Sequence, residues 1–146
     1  EISKKIISIL KIEKRKKYND ISIQKNFFLN CKKNKTLLVN LLKKLKKKNK
    51  IVYGYGASTK GNVILQYCRI KDNLINKIVE INKFKYNKYT PGTKIKIISE
   101  SEAKSIKPDY YLVLPWHFKK NIIEREKNYL KKGGKLIFPL PKIQIV

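Results

Sequence analysis

The 146-residue chain carries 36 lysines and arginines against 10 aspartates and glutamates, a formal charge of +26, and 42% hydrophobic residues, which excludes wholesale disorder. No apolar run nears the roughly 18 residues of a membrane-spanning helix, and no signal-peptide pattern opens the chain. Two cysteines, Cys31 and Cys68, and a single histidine make neither a disulfide framework nor metal-ligand spacing, so a reduced, cytoplasmic setting without membrane is expected.

Residues 1–50 read as helical. Ile2, Ile6, Ile9 and Leu10 recur at near-helical spacing, and Asn19-Asp20 offers a turn and an N-cap. Beyond it Phe27, Cys31, Leu38, Leu42 and Leu45 share one stripe, widened by Leu37 and Leu41, with lysines opposite. From Ile51 short apolar runs alternate with amphipathic stretches. The expected strands are 51–55, 77–81, 94–98, 110–114 and 135–138, with 143–146 a weaker sixth. Between them, helices are expected over 59–69, over a short stretch capped by Ser99 or Ser101 and ending at Ile106, and over 119–132, stopped by Gly133-Gly134. This alternation predicts an α/β fold: a Rossmann-like, mostly parallel sheet with flanking helices over 51–146, preceded by the helical segment 1–50.

The charge admits two readings. A pI near 10.1 fits a basic nucleic-acid-binding module. Against it, only Arg15, Arg69 and Arg125 supply the guanidinium that phosphate and base edges favour. The lysines spread along the whole chain, with one dense run at 43–50, alongside the isoleucine and asparagine that AT-rich codons enrich. A solvated lysine surface with a general attraction to anions is the expectation, and no specific nucleic acid.

Three clusters carry possible chemistry. Gly54-Tyr55-Gly56-Ala57-Ser58-Thr59-Lys60-Gly61-Asn62 runs from a strand into a helix, where glycines allow close approach and the helix start attracts phosphate. Its G-x-G-x-x-x-x-G spacing is neither the dinucleotide fingerprint nor a Walker A loop, so anion binding and a tight strand-to-helix turn both remain open. Glu80, ending the second strand, stands where ribose-binding carboxylates sit in such folds. Thr90-Pro91-Gly92-Thr93 has the form of a type II turn. Leu114-Pro115-Trp116-His117 closes the strand 110–114, at the sheet edge where open α/β folds bind ligands. His117, the lone histidine, is the one candidate for a catalytic residue, and equally a helix-start or packing residue.

In order, Gly54–Asn62, Gln66-Tyr67-Cys68, Tyr89-Thr90-Pro91-Gly92-Thr93, Lys107-Pro108-Asp109-Tyr110, Leu114-Pro115-Trp116-His117-Phe118 and 133–141 closely resemble the C-terminal domain of S-adenosylmethionine-dependent sugar C-methyltransferases. The likeness is strong over 51–146, and residues 1–50 look like that family's linker. It implies a nucleotide-diphosphate sugar as partner, held between this domain and a domain that binds S-adenosylmethionine. The methyl would pass from the sulfonium to a sugar carbon beside a ketone once a base has removed its proton. The resemblance also implies a zinc-binding N-terminal region. The methyl-donor domain, the zinc cysteines and the base-bearing stretch are absent from this chain. Together with the lack of methionine, this leads us to expect a piece of a longer protein, inactive in isolation.

By motif, Gly54–Asn62, Tyr89, Pro91, Gly92, Thr93, Trp116 and His117 are expected to face substrate, with Lys60 on phosphate, Tyr55 and Trp116 as aromatic grips, and Glu80 beside them. All are expected in one pocket at the carboxyl edge of the sheet. Glu80 replaces the family's usual Asp, Lys83 and Asn87 a usual Pro and Gly, and Lys94 and Lys96 a frequent His and Pro. The rival readings are an NAD-dependent oxidoreductase-type Rossmann domain, the nucleic-acid-binding module, and a relic that only packs against a neighbouring domain.

Overall fold

A computed structural model describes residues 3–146; Ile2, counted in the first stripe, lies outside them. The chain forms two compact units that divide between Lys33 and Asn34. In the first, α1 (Lys4–Arg15) is N-capped by the Ser3 hydroxyl, which accepts from the Ile6 N–H, and buries none of its residues. Asp20 starts α2 (Ile21–Lys47) as expected: its Oδ1 accepts from the Ser22 N–H at 2.8 Å.

The α2 stripe is buried only in part. Phe27 is 70% exposed, whereas Leu38, Leu42 and Leu45, within the second unit, are buried there. Asn34 fastens this end of the helix, its amide donating to the Pro139 carbonyl at 2.8 Å. Residues 34–47 therefore pack with the α/β unit.

That unit is a six-stranded sheet in the order β3-β2-β1-β4-β5-β6. The strands are β1 (Val52–Tyr55), β2 (Lys77–Glu80), β3 (Lys96–Ser99), β4 (Tyr110–Val113), β5 (Lys135–Phe138) and β6 (Gln144–Ile145). The first five are parallel, with Val52 opposite Tyr110 and Ile78 opposite Ile97, and β6 returns antiparallel to β5. The helices are α3 (Thr59–Tyr67), α4 (Glu100–Ile106), α5 (Lys119–Arg125) and α6 (Lys127–Lys131).

Period-two alternation distributes the strand side chains to two cores. Val52, Ile78, Ile97, Leu112 and Ile137 meet Leu38, Leu42, Ile64 and Leu65 of α2 and α3 on one face. Tyr53, Tyr55, Val79, Ile98, Tyr111, Val113 and Phe138 meet Ala103 and Ile122 of α4 and α5 on the other. Both faces are covered, which is why these strands read as continuous apolar runs.

Two expectations are corrected. The helix expected over 119–132 is two, because Glu126, at φ −95° and ψ 15°, interrupts it. The Thr90–Thr93 turn places Gly92 at φ +71°, as a type II turn would, but is closed one residue later, by the Lys94 N–H on the Thr90 carbonyl at 3.0 Å. Asn87, where the resemblance implies a glycine, adopts φ +61°, a left-handed conformation that asparagine tolerates better than most residues.

Candidate functional site at the carboxyl edge

From β1 the chain steps to β2 and β3 on one side and to β4 and β5 on the other, so the order reverses between β1 and β4. A crevice outside the carboxyl ends of the strands is expected at that point. A cleft of about 360 Å³ occupies it, bounded by Gly56, Ala57 and Ser58 after β1, Glu80 and Lys85 after β2, Glu100 on α4, Pro115 after β4, and Phe118, Asn121, Ile122 and Arg125 at α5. Gly56 turns the chain at φ +78°, and a Cβ there would sit 2.9 Å from the Pro115 ring, so only glycine fits under this loop.

The glycine loop spends its own donors internally. Gly56 N–H donates to the Val79 carbonyl at 2.8 Å and Ser58 N–H to the Gly56 carbonyl at 2.9 Å. Ala57 N–H donates to Glu80 Oε2 at 2.9 Å. Glu80 is in turn saturated. Its Oε1 accepts from Ile81 N–H at 2.8 Å and Asn82 N–H at 3.1 Å, and its Oε2 also faces the Lys85 ammonium at 3.3 Å. A carboxylate has about four acceptor positions, and four donors fill them. Burial alone would raise the Glu80 pKa, but the Asn82 and Ile81 N–H groups and Lys85 outweigh it and hold it below the ordinary glutamate value. Glu80 therefore braces the loop, and the carboxylate expected to bind ribose meets four donors of the chain itself.

Beyond the loop, Ser58 caps α3 by accepting from Gly61 N–H at 3.0 Å, and Gly61 lets the helix close on β4, since a Cβ there would meet Leu114 Cβ at 2.5 Å. Among the described residues, the N–H groups of Thr59 and Lys60 on the first turn of α3 have no acceptor, and both side chains are exposed. Asn62 follows, its Oδ1 buried without a partner. Gly54 lies inside β1. Trp116 packs partly into both cores, and exposed His117 lies against Phe118 at a 42° tilt with ring centroids 4.2 Å apart. Tyr55 is a largely buried residue that lines the cleft from the core, and its hydroxyl donates to Glu126 at 2.7 Å.

Tyr89, Pro91, Gly92 and Thr93 do not join this site. Thr90 and Thr93 are buried with their hydroxyls 2.7 Å apart, while the Pro91 carbonyl accepts from Gln66, at the far end of α3 from the glycine loop, at 3.1 Å. The physical reason is topological. A turn directly before a parallel strand lies at the amino edge of the sheet, and this one precedes β3. The single shared pocket expected from sequence is thus corrected to one cleft at the carboxyl edge and a separate turn at the other edge.

Sequence reasoning missed Lys85, Glu100, Asn121 and Arg125. Phe118, Asn121, Ile122 and Arg125 stand at i, i+3, i+4 and i+7, a helical face that could have been read. Lys85, whose ammonium also reaches the Ala57 carbonyl at 2.9 Å, carries no such signal among so many lysines.

Tyr55, Glu100 and Arg125 also wall a second cleft of about 540 Å³ between α4 and α6. Under it Tyr55 and Tyr111 have ring centroids 5.3 Å apart, and Tyr111 and Tyr129 4.7 Å apart. Burial first, and nearby carboxylates second, push the Tyr55 and Tyr111 hydroxyls well above their ordinary pKa. Among the described residues no group of three His, Cys, Asp or Glu side chains could hold a metal ion, and no helix is long and apolar enough to cross a membrane.

Comparison with known proteins gives two findings. The family described as "C-methyltransferase C-terminal domain" matches residues 1–141. C-methyltransferase NovU of Streptomyces niveus is 38% identical over 97 residues, which cover 66% of this chain and 23% of NovU. The chain thus spans less than a quarter of that relative's length.

Proposed function

The chain belongs to the C-methyltransferase C-terminal domain family, and from that premise we propose that it holds a nucleotide-diphosphate sugar while another part of the protein delivers the methyl group. The observation that carries this reading is the open cleft where the strand order reverses, at the edge where α/β sheets bind ligands. Beside it, the unaccepted N–H groups of Thr59 and Lys60 and the exposed Lys60 ammonium suit a diphosphate. Trp116 and His117, at the same edge, suit the remainder of the ligand. Held by these groups, remote from the reacting carbon, the sugar is oriented for transfer rather than chemically altered here.

Membership of a methyltransferase family implies S-adenosylmethionine as the methyl donor; when bound, it supplies an electrophilic methyl on a sulfonium. The residues of this chain do not fit a site for it. The carboxylate that would take its ribose hydroxyls, Glu80, is filled by four donors, and Ala57 N–H is spent on Glu80. The same filling counts against the NAD-dependent reading. We therefore assign the donor, and any base, to the rest of the protein.

The test is the full-length protein with labelled methyl donor and a panel of nucleotide-linked keto-sugars. Methyl incorporation into at least one supports the reading, and none across the panel refutes it. Lys60→Ala is expected to weaken sugar-nucleotide binding roughly tenfold with the fold intact. Unchanged affinity by calorimetry removes Lys60 from the phosphate.

A further inference from the structure

We propose that Arg125 is the anion-binding side chain of the carboxyl-edge cleft, and that Glu100 is an internal stand-in which an entering phosphate or diphosphate displaces. The inference rests on the substrate-holding reading above and adds a residue inside the cleft that shares the anion with Lys60 beside it.

Most donors in the cleft are already taken. The loop N–H groups of Gly56, Ala57 and Ser58 already donate to Val79, Glu80 and Gly56. Of the side chains lining the cleft, two are cationic, Lys85 and Arg125. Lys85 is committed to the Ala57 carbonyl at 2.9 Å and to Glu80 at 3.3 Å. Arg125 is not. Its Nη2 bonds Glu100, while its Nε stands 3.8 Å from Glu126, beyond a hydrogen bond. A guanidinium has five N–H donors in a planar fork that matches phosphate oxygens, so most of its capacity remains open.

The pair is also placed to exchange. Arg125 ends α5 and Glu100 begins α4, and their side chains, 43% and 27% exposed, meet over the wall shared by the two clefts. Ion pairs that water reaches are weak and readily replaced. Glu126, whose Oε1 accepts the Tyr55 hydroxyl at 2.7 Å, stays within ion-pair distance of Arg125 at 3.8 Å without taking a hydrogen bond from it, so the donors not turned to Glu100 remain open.

Calorimetric titration of the full-length protein with inorganic pyrophosphate and with a nucleotide sugar tests this. Arg125→Gln is expected to weaken pyrophosphate binding roughly tenfold or more, and Arg125→Lys to weaken it less. Glu100→Gln is expected to tighten it several-fold, because the competing carboxylate is gone. Glu124→Gln changes the net charge equally at a 75% exposed position that does not line the cleft, and is expected to leave affinity unchanged. Pyrophosphate affinity unchanged in Arg125→Gln overturns the inference while the substrate reading stands. Equal tightening in Glu100→Gln and Glu124→Gln overturns the displacement. If the wild-type protein binds neither probe, both the reading and the inference fall. Should Arg125→Gln not fold, Arg125→Lys and Glu100→Gln carry the test.

Discussion

Glu80 Oε2 accepts the Ala57 N–H at 2.9 Å, so a carboxylate at the end of β2 holds the loop that follows β1. Its other oxygen ties down the exit of its own strand through Ile81 and Asn82. One buried side chain thus fixes the two loops on one flank of the carboxyl-edge cleft. The geometry of the site depends on a residue that is not free to bind a ligand.

Glu80→Ala leaves three backbone N–H groups without their acceptor. It is expected to cost roughly 2–4 kcal/mol in urea unfolding of this chain. The pH dependence has a definite sign. Because the folded pKa lies below the ordinary value of 4.5, the stabilisation is present above about pH 4.5 and is lost as pH falls through the folded value. Glu80→Gln lacks this titration, so its stability gap to wild type should narrow on acidification. A gap independent of pH would contradict the account.

Gly61→Ala places a methyl 2.5 Å from Leu114 Cβ. Alanine is the better helix former by about 1 kcal/mol, yet the substitution should destabilise by a net 1–3 kcal/mol or so. Leu114→Ala should not relieve it, because the clash is with Cβ itself. A raised melting temperature in Gly61→Ala would show that α3 can move away from β4.

The stripe on α2 separates packing from patterning. Leu42 is fully buried and Leu37 is 50% exposed, though both belong to the apolar face read from sequence. Leu42→Ala is expected to cost about 2–5 kcal/mol, and Leu37→Ala under roughly 0.5 kcal/mol. Chemical denaturation of the two variants decides it; equal costs would refute the difference in burial.

The Tyr55 hydroxyl, buried and donating to Glu126, is held neutral far above its ordinary pKa of 10.0. With the folded pKa raised, its contribution is complete below about pH 10 and is lost as pH climbs toward the folded value. Tyrosinate absorbance should show hydroxyls that ionise only as the chain unfolds, and Tyr55→Phe should remove one of them. The variant is expected to lose about 1–2 kcal/mol at neutral pH. Ordinary titration of every tyrosine in the folded protein would count against this.

Much of the α/β unit was readable in advance. Strands such as 110–114 and 135–138 are continuous apolar runs because both sheet faces are covered, and the small residues after Tyr55 marked the loop at the site. Less readable was the break at Glu126, since the helical spacing of apolar residues runs through it and only the backbone at that residue departs. The sixth strand, at 144–145, is held by its pairing with β5 rather than by a pattern of its own.

Local periodicity, capping and motif order reside in neighbouring residues, so the parallel strands, most of the helices, the glycine turn and the family were legible along the chain. The fold set what each polar group does. It turned Glu80 from an apparent ribose ligand into a brace, sent Tyr89–Thr93 to the opposite edge from the glycine loop, and brought Arg125 against Glu100. Those outcomes depend on which donors and acceptors meet across the sheet, and residues far apart in the chain settle that only when it folds.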